Sequence, residues 1–185
     1  MELTDTILTV RCSEPEGTFD RIIRRVALTS DKLNHYYDKL KDFDVVFNDH
    51  IPNTPGGFAS IFVSFNEDME ATANGLLWEV DDVGILYLTN IIPAFSALAH
   101  FTFWDRRMKG REPLIREMIK YCFNRYNFHR IETHVALYAT PVLAAVERIG
   151  FVKEGRARKA VRKKGEWFDV NLYAILREEV INDAA

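Results

Sequence analysis

The sequence predicts a mixed α/β fold, an α+β arrangement of helices around one sheet, and three observations predict it. Amphipathic helical segments alternate with strands through the C-terminal half. The N-terminal half reads as a helical stretch followed by meandering strands. The 185 residues show no repeat and no low-complexity segment, so 1–185 reads as a single domain. Hydrophobic residues make up 48%, enough for a substantial core and against disorder outside the last few residues.

Taken in order, Ile7 to Val10 suits a short strand. Thr18 to Phe43 reads as one or two helices. Phe19, Ile22, Ile23, Val26 and Ala27 follow the 3.6-residue period. Thr29 or Ser30 can cap a second segment carrying Leu33, Tyr36, Tyr37 and Leu40. Val45 to Phe47 suits an extended piece, and His50 to Gly57, with Pro52, Pro55 and two glycines, a loop. Phe58 to Phe65 alternates as a strand, and Asn66 to Ala73 reads as a polar turn. Gly75 to Val80 and Gly84 to Ile92 suit two strands joined at Asp81-Asp82, the second stopped by Pro93. Ala97 to Trp104 suits a further strand that leads into a basic turn. The helix after that turn places Pro113 at its first position, where a missing N–H costs nothing. Its stripe is Leu114, Ile115, Met118, Ile119, Cys122, Phe123 and Tyr126. A strand follows from His129 to Leu137. Thr140 as cap and Pro141 then open a helix that buries Val142, Leu143, Val146 and Ile149 and stops at Gly150. A hairpin ending in Asp169-Val170-Asn171-Leu172-Tyr173 closes the pattern.

Charge and cysteine usage narrow the function. A net charge of −3 argues against nucleic-acid binding through bulk charge. Two local clusters are basic: Arg106, Arg107, Lys109 and Arg111, and then Arg156, Arg158, Lys159, Arg162, Lys163 and Lys164. The second is most simply an exposed hairpin, with nucleic acid on Arg156 to Lys164 as the lesser option. Cys12 and Cys122 lack metal or redox spacing, and a reducing compartment is expected. His129 and His134 fall on opposite faces of a strand, so no metal is expected. Met1 to Ser13 is acidic and short in apolar residues, unlike a signal peptide. No apolar run reaches membrane-spanning length, so a cytoplasmic protein with no membrane partner is expected.

The stretch Trp104 to Pro113 carries the chemistry. A basic, glycine-containing turn opening a helix is an anion-binding device, because first-turn N–H groups are unpaired and the helix dipole adds positive potential. Arg107-Met108-Lys109-Gly110-Arg111-Glu112 resembles the pyrophosphate signature Arg/Gln-x-x-Gly-x-Gly/Ala of the GNAT acyltransferases, with Glu112 departing from it. Phe128-His129-Arg130-Ile131-Glu132 is similar to a strand start of the branch that acetylates ribosomal-protein N-termini. Glu147 to Gly155 is similar to that branch's Glu-Lys-Leu-Gly-Phe-x-x-Glu-Gly. Arg158, Gly165, Asp169, Leu172 and Tyr173 fit its closing hairpin. Each motif is weak alone; in this order, each on the right element, they are strong together.

The resemblance implies a GNAT-like central mixed, mostly antiparallel sheet flanked by helices on both sides. It implies acetyl-CoA as co-substrate and no metal. The pyrophosphate would lie on Arg106, Arg107, Met108, Lys109, Gly110, Arg111 and Glu112, with Arg106 or Lys109 offsetting the Glu112 carboxylate. Pantetheine would bond to the strand around Phe101 to Phe103. The amine, a peptide N-terminus or a small molecule, would attack the acyl group directly. His100 is the base that strand offers, and Tyr138 is the nearest proton donor for the thiolate. The loop Asn of the family is Ala139 here, and its frequent Tyr falls at Val146. Those departures support a second reading, a catalytically degenerate component of a larger assembly such as a virus particle. A nucleic-acid-associated acyltransferase is a third. Monomer and homodimer stay open.

Overall fold

A computed structural model describes residues 7–14, 17–105 and 107–181. The chain lays down β1 (Ile7–Glu14), β2 (Gly17–Val26), α1 (Ser30–Leu40), α2 (Pro55–Ala59), β3 (Val63–Phe65), β4 (Ala71–Ala73), β5 (Leu76–Val80), β6 (Gly84–Ile92) and β7 (Ser96–Phe103). Then follow α3 (Arg111–Tyr126), β8 (Arg130–Ala136), α4 (Thr140–Ile149), β9 (Val152–Lys163), β10 (Glu166–Leu176) and α5 (Arg177–Val180). Eight strands form one sheet in the order β1-β2-β5-β6-β7-β8-β10-β9, and β3 and β4 form a separate hairpin. Every pairing in the large sheet is antiparallel except β7 with β8.

Strand alternation sorts the core onto two faces. Trp78, Leu86 and Leu88 turn toward α3 and α4, where they meet Leu114, Ile115, Met118, Val146 and Ile149. Leu77, Ile85 and Tyr87 turn the other way, onto Leu33, Tyr36 and Leu40 of α1 and Phe58 of α2. The helices thus flank the sheet on both sides, as the resemblance implied.

Several local expectations are corrected. Residues 17–26 form a strand, not a helix. The β-branched Ile22, Ile23 and Val26 satisfy a helical period, but pairing with β1 and with Leu77–Val80 of β5 decides the conformation. The second helix predicted there is present, capped by Thr29. Phe58 belongs to a short helix rather than a strand. Thr54 Oγ1 accepts the Gly57 N–H at 3.0 Å with Pro55 in the first turn. Phe58 and Phe62, four apart, pack edge to face at 5.4 Å. The predicted polar turn keeps residues 66–70 but gives 71–73 to β4. Val45 to Phe47 is not extended, because 44–46 form a turn in which the Val46 N–H bonds to the Phe43 carbonyl. Helix α3 starts at Arg111, so Pro113 is its third residue. Ala139 rather than Thr140 caps α4.

Candidate active site

β7 and β8 pair over three registers, Ser96↔Arg130 to Leu98↔Glu132, and then part. Each is held by its antiparallel neighbour. β7 stays on β6 as far as Phe103↔Gly84, and β8 stays on β10 as far as Ala136↔Val170. Neither strand can close the gap without abandoning those bonds. A cleft of about 450 Å³ opens there, between His100, Phe101 and Thr102 on one side and Thr133, His134, Val135 and Ala136 on the other. Beyond Leu98, the β8-facing edge of β7 has no strand partner among the described residues.

Beyond β7 the chain makes the basic turn. Asp105 organises it: Oδ1 accepts the Arg107 N–H at 2.9 Å, and its carbonyl accepts the Met108 N–H at 3.2 Å and Arg111 Nη2 at 2.7 Å. The Arg107 N–H, with Arg107 and Arg111 nearby, holds the Asp105 carboxyl below its ordinary range. Gly110 caps α3 at φ 74°, a left-handed conformation that favours glycine. The Arg111 guanidinium lies 5.8 Å from the Phe103 ring, and its Nε is buried without a hydrogen-bond partner. Arg107 is 94% exposed.

The predicted phosphate residues therefore divide. Arg107, Gly110, Arg111 and Glu112 lie at or just before the helix start, with the Lys109 carbonyl beside Arg21 Nη2 at 3.5 Å. Met108 is a core residue, buried against α3, with its N–H already engaged. Arg106 lies outside the described residues. Glu112 is paired with Arg148 of α4 at 2.7 Å, a partner outside the turn.

Within the cleft, His100 stacks on Tyr87 with ring centroids 4.5 Å apart and contacts Thr89 Oγ1 through Nε2 at 3.0 Å. Burial of the ring, with His134 adding repulsion, lowers its pKa to about 4. His100 is therefore neutral at pH 7, a weak base in the form that can accept a proton. Tyr138 lines the cleft, edge-on to Phe168 at 5.1 Å and beneath Lys163 Nζ at 4.5 Å. Burial pushes its phenol up, and Asp44 adds to this, so it stays protonated. Phe101 and Phe103 pack into the core on the α3 face.

The structure also places His134 on the cleft wall. Ile131 and Val135 enter the α3-side core, so His134 faces the opposite side, that of His100. Its Nε2 lies 3.8 Å from a Glu132 carboxylate oxygen. Glu132 and His134, two apart on one strand, share a face; that spacing was the available signal.

The other motif residues hold the fold. Arg130 joins Glu132 at 2.8 Å and Glu154 at 2.6 Å. The Tyr173 hydroxyl lies 3.1 Å from a Glu147 carboxylate oxygen. Gly150 closes α4 at φ 113°, where its terminal carbonyls also accept from Arg116. Of the basic hairpin, Arg162 pairs with Asp49 at 2.9 Å, Lys163 with Asp44 at 3.1 Å, and Arg156 with Asp169 at 3.8 Å.

Residues 80–172 match the family model described as an acetyltransferase (GNAT) domain. The chain is 37% identical over 111 residues to YjcK of Bacillus subtilis, named a probable N-acetyltransferase, covering 57% of this chain and 61% of that protein. It is 27% identical over 116 residues to YdaF of the same organism, provisionally named a ribosomal N-acetyltransferase, covering 60% and 63%. The matched segments thus span about three-fifths of these relatives. The crystal structure of an acetyltransferase of the GNAT family from Bacillus anthracis superposes with a TM-score of 0.65 at 18% identity, covering 93% of this chain and 100% of that one.

Proposed function

Because the chain belongs to the acetyltransferase (GNAT) family, we propose that it transfers an acetyl group from acetyl-CoA to a primary amine by direct attack. The observation that carries this reading is the parting of β7 and β8 directly before a helix start capped by left-handed Gly110. First-turn N–H groups at Arg111 and Glu112, with the Arg107 and Arg111 guanidinia, would hold the pyrophosphate. The orphaned Arg111 Nε fits that role, since a buried donor without a partner is uncommon. The unpartnered edge of β7 from His100 to Phe103 would bond the pantetheine amides.

Acetyl-CoA supplies the activated acyl carbon, and the chain supplies proton handling. His134, across the cleft from His100, would take the amine's proton. The Tyr138 phenol would return one to the departing thiolate. His100 would serve as a neutral wall of the cleft.

The test is a titration with acetyl-CoA followed by thermal unfolding. A ligand that binds only the folded state stabilises it by about 2.7 kcal/mol at a hundred times Kd. No shift at saturation, in folded protein, overturns the proposal. His134→Gln and Tyr138→Phe should each lower kcat on the order of a hundredfold while leaving acetyl-CoA affinity in place. The non-catalytic reading draws support from Val146, which is fully buried where the family often has Tyr. It predicts no turnover with any amine.

A further inference from the structure

Resting on the acetyl-transfer reading, we infer that the acceptor is a primary amine on an uncharged, apolar body, a monoamine rather than a polyamine. The cleft has two flanks, and the one away from α3 and α4 receives the acceptor. Its walls are Val45, Val46 and Ile51 from the segment after α1, and Val161, Val170 and Leu172 from the β9–β10 hairpin. Among the described lining residues, none is Asp, Glu, Lys or Arg.

Three carboxylates near the cleft, Asp44, Asp49 and Glu132, are engaged by cations or N–H groups of the chain itself. Asp44 meets Lys163 at 3.1 Å and Lys164 at 3.4 Å. Asp49 accepts from Arg162 at 2.9 Å and from the N–H groups of Lys164 at 2.7 Å and Gly165 at 3.0 Å. Glu132 is bonded to Arg130 at 2.8 Å. A second ammonium on the acceptor would lose its water and gain no anion. It would also approach Lys163, whose ammonium lies 4.5 Å from the ring of the cleft residue Tyr138. An alkyl or aryl body instead gains about fourfold in affinity per methylene buried.

The experiment compares n-hexylamine with 1,6-diaminohexane, which differ only in the second ammonium. Each is titrated calorimetrically into the full chain, with and without saturating CoA. Hexylamine should bind at least tenfold more tightly than the diamine. Leu-Gly-Gly amide is the third ligand. If it binds more tightly than hexylamine, the apolar amine is a peptide N-terminus; if more weakly, a small molecule. Ala160→Glu places a carboxylate at an exposed lining position and should bring the diamine to parity or beyond. Equal or tighter binding of the diamine to the unaltered chain, or binding of none of the three, overturns the inference. Acetyl-CoA is titrated separately, so a failure of the acetyl-transfer reading is seen apart from this one.

Discussion

His100 lies between β6 and the cleft, stacked on Tyr87 and in contact with Thr89, and its environment disfavours the imidazolium. Its folded pKa, about 4, is below the unfolded value near 6.5. The unfolded chain therefore binds more protons between those limits. The stability His100 contributes is complete above about pH 6.5 and is lost as pH falls through 4. Urea unfolding should show a loss on the order of 3 kcal/mol between pH 6.5 and 4 that is absent in His100→Gln. An unchanged pH slope in that variant would refute the assignment. The residue was visible in the sequence as the titratable group before the basic turn. Its weak basicity was not, because desolvation comes from Tyr87 and neighbours on other strands. Glu112 was likewise visible as a departure, but Arg148, which neutralises it, stands 36 residues away.

At the scale of elements, the β9–β10 tip and the segment after α1 act as one wall. Asp49 accepts from Arg162, Lys164 and Gly165, and its N–H donates to the Arg162 carbonyl at 2.9 Å. Lys163 reaches the Asp44 and Phe47 carbonyls. The hairpin N–H groups, with Arg162, hold the Asp49 carboxyl below the ordinary range. Asp49→Ala should speed amide exchange across 44–50 and raise KM for the amine roughly tenfold, the worth of one charge-assisted hydrogen bond. Acetyl-CoA affinity should stay unchanged, since its proposed site lies on the α3 side. Equal losses for both substrates would show that the link supports the whole cleft instead. The hairpin's basic run was legible as a cluster. The partners of Arg162, Lys163 and Lys164 were not, because they lie more than a hundred residues earlier in the chain.

At the scale of the molecule, those same pairings bear on nucleic acid. Arg156, Arg162, Lys163 and Lys164 all face carboxylates, and the chain carries a net charge of −3. These pairings reduce the hairpin's positive potential for releasing counterions from a phosphate backbone. Gel-shift titration at about 0.15 M salt, on the order of the physiological value, should show no retention of duplex DNA or single-stranded RNA. Retention that falls steeply with salt would restore a nucleic-acid role.

The sequence by itself determined the helices α3 and α4, their glycine-marked ends, the strands around them and the ordered motifs that identify the family. These rest on periodicity and backbone conformation, which act over a few neighbouring residues. Tertiary structure alone decided that 17–26 is a strand, since its apolar spacing suits a helix and only pairing with β1 and β5 selects otherwise. It also decided that His134 faces His100 and that Met108 enters the core. Each depends on strand partners and burial supplied from distant parts of the chain, which no local pattern encodes.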